Sequence, residues 1–210
     1  MGNKPSLTDE AKDARWRAMF EGFAFSDVSN IDVAQIDAWG ASGRDQVVLI
    51  DCRDQAEQRV SMVPAAVTKG AFMEQLRGGW RAAADTTTHL VCYCTIGYRS
   101  SYAARALAAD ADLRQQLAAA PSPTTAEGSA REQAPRVRVH NLRGGVLAWA
   151  HAQREFLTVA PAGGNDGNDG GDGEDRGGVS RTRALHVYGR RWDLAPSNYE
   201  TTWYTMLGWT

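Results

Sequence analysis

The sequence lacks any apolar run long enough to cross a membrane, since its longest uninterrupted apolar stretches are only a handful of residues. We therefore expect no transmembrane helix. The N-terminus also lacks the charged-then-apolar pattern of a secretory signal. Only three cysteines occur in 210 residues. Without a secretion signal, we expect reduced thiols and a cytoplasmic protein rather than a disulfide framework.

A strong excess of charge of either sign is missing as well. The 23 Lys and Arg residues nearly balance the 25 Asp and Glu residues, which gives a net charge of −2. This balance disfavours nucleic acid as a partner. The four histidines show no ligand spacing, so we expect no metal site.

The first six residues fit the pattern for N-myristoylation, with Gly2 as the acceptor. One acyl chain at Gly2 would anchor a eukaryotic protein to a membrane only reversibly. The alternative is a chance match in a flexible terminus.

The composition divides the chain into four parts. Residues 1–24 read as an N-terminal extension whose amphipathic helix spans 8–23, and residues 25–158 as the main domain. Residues 159–183 are rich in Gly and Asp, which predicts a flexible linker. Residues 184–210 form an aromatic C-terminal tail, which we expect to dock on the domain or on a protein partner.

Short apolar runs alternate with helical patterns inside the main domain. The runs are 47–50, 89–93 and 137–140, and the helices are expected at 70–84, 100–118 and 145–157, with a surface loop at 119–135. This alternation predicts an α/β fold with a mostly parallel sheet. Ligands of such sheets bind beyond the carboxyl ends of the strands. Asp51, Cys52 and Arg53 follow the first run, and Cys94 follows the second.

The loop after the second run is the candidate active site. Gly97 gives the backbone freedom for a sharp turn, and successive N–H groups of the turn can face an anion. Ser100 is a plausible N-cap for the next helix, whose dipole would point at Cys94. Arg99 adds a permanent positive charge. All three features favour a thiolate, so we expect a lowered pKa for Cys94.

The other candidates allow two interpretations each. Asp51 and Arg53 either frame the pocket or form a structural pair that holds the turn after the strand. Cys52 is either a resolving thiol or a buried apolar residue, and Cys92 is expected to be buried.

Four segments together resemble the rhodanese family in order and spacing. They are Val48-Leu49-Ile50-Asp51-Cys52-Arg53, Val63-Pro64-Ala65-Ala66-Val67, Tyr93-Cys94-Thr95-Ile96-Gly97-Tyr98-Arg99-Ser100, and Asn141-Leu142-Arg143-Gly144-Gly145 with Trp149. The resemblance implies a five-stranded parallel sheet flanked by helices on both faces, with the cysteine loop as the active site. One departure is Ala65, where the family often has glycine. It leaves the active-site loop unaffected.

The resemblance implies sulfur transfer through a persulfide on Cys94, a mechanism for which no metal or organic cofactor is needed. A donor such as thiosulfate or another persulfide would load the sulfur, and cyanide or a thiol would remove it. Arg99 would neutralise the donor's charge, and the loop of Thr95, Ile96, Gly97, Tyr98 and Ser100 would bind the outer sulfur.

The same fold also hosts phosphatases and arsenate reductases. Their loops place five residues between cysteine and arginine, whereas four lie between Cys94 and Arg99. The shorter loop favours sulfur over phosphate. A further alternative is a binding module without catalytic activity, whose aromatic tail would contact a partner.

Overall fold

A computed structural model describes residues 7–83, 86–110, 113, 136–159, 179–205 and 208–209. A five-stranded sheet lies at its centre, formed by β1 (Asn30–Ile31), β2 (Asp45–Asp51), β3 (Val67–Thr68), β4 (Thr87–Tyr93) and β5 (Arg136–Leu142). The strand order is β1-β5-β4-β2-β3, and every neighbouring pair is parallel. The predicted five-stranded parallel sheet is therefore confirmed.

Helices connect the strands, as expected for parallel neighbours. In the described residues they are α1 (Asp9–Glu21), α2 (Val33–Ser42), α3 (Gln55–Val60), α4 (Lys69–Arg77), α5 (Tyr98–Ala109) and α6 (Gly145–His151). Two of the expected helices end early: α4 stops at Arg77, and α6 stops at His151 before another strand begins. No helix in the described residues is long and apolar enough to cross a membrane.

The side chains of β4 alternate between two buried faces. Leu90 and Cys92 pack with Phe72 of α4 and Leu107 of α5. On the other face lies a second core around Val91 and Tyr93, with Trp16, Phe20, Val146, Leu147 and Trp149 of α1 and α6. A strand covered on both faces has no solvent side, which is why this stretch reads as a continuous apolar run. Helices flank both faces of the sheet, as predicted.

The C-terminal segment returns to the domain. It contains β6 (Phe156–Val159), β7 (Val179–Thr182), β8 (Ala184–His186), a 3₁₀ turn (Arg190–Trp192), β9 (Glu200–Thr202), β10 (Tyr204–Thr205) and β11 (Gly208–Trp209). Leu185, Val187 and Leu194 are buried in the core that contains Trp16.

Part of the expected linker is ordered. Residues 159–183 were predicted to be flexible, but β7 at 179–182 pairs antiparallel with β6. Its main-chain hydrogen bonds are available to any sequence, which explains why composition did not reveal them. Residues 160–178, the expected loop at 119–135 and Gly2 lie outside the described residues.

Candidate active site

The helix that follows the β4 loop begins earlier in the chain than predicted. Gly97, at φ 100°, is the N-cap of α5, and the helix begins at Tyr98. Ser100, predicted as the N-cap, therefore lies within the first turn. Glycine tolerates this left-handed φ without strain, and it allows the chain to turn into the helix directly after Ile96.

Cys94 is buried, and its sulfur has two polar neighbours. The Gly97 N–H donates to Cys94 Sγ at 3.2 Å, and Ser100 Oγ lies 3.5 Å from the same sulfur. Only 1% of Cys94 is exposed. The turn therefore aims one backbone N–H at the sulfur, which is where negative charge would develop on a reacting thiolate.

A buried polar network fixes Ser100. Ser101 Oγ donates to the Gly97 carbonyl at 2.7 Å, so it must accept from Asn141 Nδ2 at 2.9 Å. The amide of Asn141 is thereby oriented, and its Oδ1 accepts from Ser100 Oγ at 2.6 Å. Asn141 thus ties the end of β5 to the first turn of α5.

The start of α6 is hydrogen-bonded to the backbone of the cysteine loop. Val146 N–H donates to the Cys94 carbonyl at 2.9 Å, and Leu147 N–H donates to the Thr95 carbonyl at 3.3 Å. A Cβ on Gly145 would overlap the carbonyl group of Cys94. The close approach of α6 to the loop therefore requires glycine at this position.

Arg99 does not face the cavity as a free cation. Its Nη1 donates to Glu57 Oε2 at 2.6 Å and to Asp54 Oδ2 at 3.4 Å. Its Nη2 donates to Glu57 Oε1 at 2.8 Å and to Thr95 Oγ1 at 3.1 Å. Burial alone would raise the pKa of Glu57, but the hydrogen bonds and charge of Arg99 outweigh it and hold that pKa below its usual range.

Glu57 was not recognised in the sequence. Its carboxylate accepts from the Asp54 backbone N–H at 3.0 Å and completes a capping box at the start of α3. The spacing Asp54-x-x-Glu57 signals such a box. Its contact with Arg99 spans 42 residues and has no local signal.

A cavity of about 270 Å³ opens over the cysteine loop. It is lined by Cys94, Thr95, Ile96, Tyr98, Arg99, Tyr188 and Trp192. The predicted loop residues Gly97 and Ser100 lie behind this lining, next to the sulfur. Tyr188 and Trp192 come from the C-terminal segment and were not predicted at the site. The Tyr188 ring lies 4.6 Å from Arg99 Cζ, a distance typical of a cation–π contact.

Asp51 and Arg53, which the sequence offered as substrate-binding residues that frame the pocket, do not line this cavity. They form an ion pair at 2.7 Å with both side chains fully buried. Tyr93 Oη donates to Asp51 Oδ2 at 2.6 Å, and Arg53 Nη2 donates to the Ser61 carbonyl at 2.6 Å. The pair therefore has the structural role, and the assignment to substrate binding is corrected. Buried charges of this kind persist where hydrogen bonds satisfy them.

The other two cysteines belong to the core that contains Phe72. Cys92 packs in the core with Phe72, and Cys52 packs against that core. A hydrogen bond to Cys92, together with burial, raises the pKa of the Cys52 thiol well above its usual value. A thiol held protonated is a poor nucleophile. Cys52 is not among the residues that line the cavity over Cys94.

Comparisons with known proteins connect this geometry to a family. A model of the rhodanese-like domain family matches residues 35–152. No curated protein matches the chain.

Several solved structures are similar to the chain, among them the following three. A protein from Bacillus halodurans is 17% identical over 69% of this chain and 84% of its own, with a TM-score of 0.38. A thiosulfate sulfurtransferase from Pseudomonas aeruginosa is 12% identical over 71% of this chain and 23% of its own, with a TM-score of 0.38. A Rhodopseudomonas palustris protein of unknown function, described as a possible tyrosine phosphatase, is 20% identical over 74% and 98%, with a TM-score of 0.36.

Proposed function

The chain belongs to the rhodanese-like domain family, and we propose that it is a sulfurtransferase that carries sulfane sulfur as a persulfide on Cys94. One observation carries the proposal: Cys94 lines a cavity and lies in a turn whose Gly97 N–H points at the sulfur at 3.2 Å. A sulfur atom bound to Cys94 would extend into that cavity. Neither Cys52 nor Cys92 lines it.

The loading step is a displacement at sulfur. The Cys94 thiolate attacks the sulfane sulfur of the donor, and a new S–S bond forms. The bond between that sulfur and the rest of the donor breaks, and its electron pair leaves with the donor. Thiosulfate would leave as sulfite, and an organic persulfide would leave as its thiolate.

The unloading step reverses these roles. An acceptor thiolate, or cyanide, attacks the outer sulfur of the persulfide. The S–S bond breaks, and its electron pair returns to Cys94 as a thiolate. The Gly97 N–H stabilises this sulfur while it carries negative charge, so the same hydrogen bond serves both steps.

Two alternatives to a sulfurtransferase are a phosphatase of the same fold and a binding module without catalytic activity. Both terminal nitrogens of Arg99 are engaged by Glu57, Asp54 and Thr95. A phosphate group would have to displace these partners to gain a bidentate contact with the guanidinium. This arrangement supports sulfur transfer over phosphate transfer.

Intact-mass measurement tests the proposal. The protein is incubated with an organic persulfide, and separately with thiosulfate, and its mass is then compared with that of the untreated protein. We expect the addition of one sulfur atom in the wild type and in Cys92→Ser, the matched control. Cys94→Ser should show none. An unmodified wild type with both donors, or a sulfur adduct that survives in Cys94→Ser, would rule the proposal out.

Sulfur carriage requires reduced thiols, so we also propose a cytoplasmic location. Acylation at Gly2 stays a prediction. Mass measurement of the protein from a eukaryotic host would detect the acyl group, and an unmodified N-terminal peptide would exclude it.

A further inference from the structure

We propose that the Cys94 cavity binds organic persulfides and thiols with an apolar body, that Tyr188 and Trp192 contact this body, and that thiosulfate is a poor donor. The inference rests on the proposed sulfur transfer and specifies its substrate class. Three observations support it. The cavity is lined mainly by apolar side chains, two carboxylates lie beside the positive charge of Arg99, and the terminal nitrogens of Arg99 are engaged in hydrogen bonds.

Aromatic and apolar side chains make up most of the cavity wall. Tyr98 and Ile96 line it from the cysteine loop, while Tyr188 and Trp192 line it from the C-terminal segment. Both of the latter lie outside the family match, which ends at residue 152. An apolar wall offers favourable burial to a hydrocarbon body and offers nothing to a small hydrated dianion. The extension of this chain therefore adds a surface for an organic group.

The charge around the cavity does not favour an anion. Among the residues that the structure describes, Arg99 is the only charged one that lines the cavity, and it pairs with the carboxylates of Glu57 and Asp54. One positive charge therefore faces two negative ones. Burial lowers the pKa of the neighbouring His186, which disfavours a second positive charge at this place. Arg191 contacts the Trp192 ring at 4.7 Å but is exposed and does not line the cavity.

The two terminal nitrogens of Arg99 are also engaged in hydrogen bonds. Nη1 and Nη2 each donate to two acceptors, which are the carboxylates of Glu57 and Asp54 and the hydroxyl of Thr95. The Tyr188 ring covers a face of the guanidinium at 4.6 Å. Thiosulfate would have to displace the fully buried Glu57 carboxylate to gain two hydrogen bonds from these nitrogens. An uncharged organic group has no such requirement.

The chemistry of transfer is unchanged by this choice of substrate. The thiolate of an organic acceptor, RS⁻, attacks the outer sulfur of the Cys94 persulfide, and an S–S bond forms to the acceptor. The original S–S bond breaks, its electron pair returns to Cys94, and the product is RSSH. The outer sulfur keeps its proton throughout, so atoms and charge balance.

The test starts from wild-type protein already loaded with one sulfur on Cys94, which establishes the proposed function independently. Loss of that sulfur is then timed by mass spectrometry with two acceptors, benzyl mercaptan and mercaptoethanesulfonate. The first carries an aromatic body, and the second carries a permanent negative charge. The rate constant for benzyl mercaptan is divided by that for mercaptoethanesulfonate, and this ratio is compared between the wild type and each variant. The intrinsic reactivities of the two thiols are the same in every protein, so they cancel in that comparison.

We expect Trp192→Ala to lower this ratio by about tenfold, because a truncated aromatic contact typically discriminates by that order. Tyr188→Ala should lower it in the same direction. Val179→Ala is the matched control in the same C-terminal segment. Its side chain is 61% exposed and does not line the cavity, so the ratio should stay unchanged.

The outcomes separate the two proposals. A wild type that never gains sulfur from any donor contradicts the sulfurtransferase itself. A loaded wild type whose ratio is the same in Trp192→Ala, Tyr188→Ala and the control overturns only the substrate class.

A second experiment tests the charge balance around Arg99 with a variant that should load sulfur from thiosulfate faster than the wild type. Asp54→Asn removes one carboxylate beside Arg99, and asparagine remains a good N-cap for α3. We expect loading from thiosulfate to become about two- to threefold faster at low salt, because the Asp54 side chain is exposed and its charge is partly screened. Loading from benzyl persulfide should not change. An equal effect on both donors, or none on thiosulfate, would overturn the electrostatic part of the inference.

Discussion

Acid should destabilise this fold through a pair of histidines on β4 and β5. His89 Nδ1 lies 3.0 Å from His140 Nε2, His89 Nε2 lies 3.4 Å from Asp45 Oδ1, and His140 Nδ1 lies 2.8 Å from Ser29 Oγ. Because an ionised carboxylate only accepts, His89 donates from Nε2 and its Nδ1 accepts from His140. The Ser29 hydroxyl must then donate to His140 Nδ1. Every ring nitrogen is used while both histidines are neutral.

The cost of protonating His140 follows from its pKa. Burial, together with the charges of His89 and Arg138, lowers the pKa of His140 from 6.5 to about 4. His140 is therefore protonated near pH 6.5 in the unfolded chain but only near pH 4 in the folded chain. Stability is greatest above pH 6.5 and falls as the pH drops through this window. At ~1.4 kcal/mol per pH unit, His140 alone lowers the free energy of unfolding by ~2 kcal/mol at about pH 5.

Urea denaturation at about pH 7.5 and about pH 5 measures this effect in the wild type and in His140→Gln. Glutamine cannot be protonated, so its acid-induced loss of stability should be smaller by ~2 kcal/mol. Each protein at the higher pH serves as its own reference, which removes the cost of the substitution itself. Equal acid-induced losses in the two proteins would refute the reasoning.

Other predictions concern the buried pairs and the cysteine loop. Asp51→Asn leaves a buried guanidinium without its counter-charge and should lower the free energy of unfolding by ~3 kcal/mol or more. Urea denaturation measures this loss, and a value below ~1 kcal/mol, as for a surface pair, would contradict the structural role. Arg99→Ala should destabilise by a similar ~3 kcal/mol, because Glu57 is fully buried. Unchanged stability in the same assay would show that this pair is not needed. Gly145→Ala should slow persulfide formation, because the new methyl group would overlap the Cys94 carbonyl. Timed intact-mass measurements check this, and a wild-type rate would argue against the close approach of α6.

The sequence predicted the parts of the fold that local patterns determine. The apolar run at 89–93 became β4 because both of its faces are covered, and the loop that follows it carries Cys94 between a strand and a helix. In contrast, β1 and β3 have only two residues each. No periodic pattern fits in two residues, so these strands exist only through their pairing with β5 and β2.

The candidate site likewise contains residues that the sequence predicted and residues that it did not. Cys94 and Arg99 are separated by a short loop and were accessible to sequence reasoning. Glu57, Tyr188 and Trp192 reach the same site from distant parts of the chain. The aromatic composition of residues 184–210 predicted that this segment docks, but not where, because composition carries no information about the position of a contact.

The central claim is that Cys94 carries sulfur as an intermediate, and a single-turnover experiment tests it most directly. Protein loaded with one sulfur is freed of donor and mixed with excess cyanide. We predict one equivalent of thiocyanate for each loaded protein, formed at the rate at which the mass of Cys94-containing peptide returns to that of the free thiol. Loss of the sulfur without thiocyanate, or thiocyanate formed by Cys94→Ser, would contradict the account.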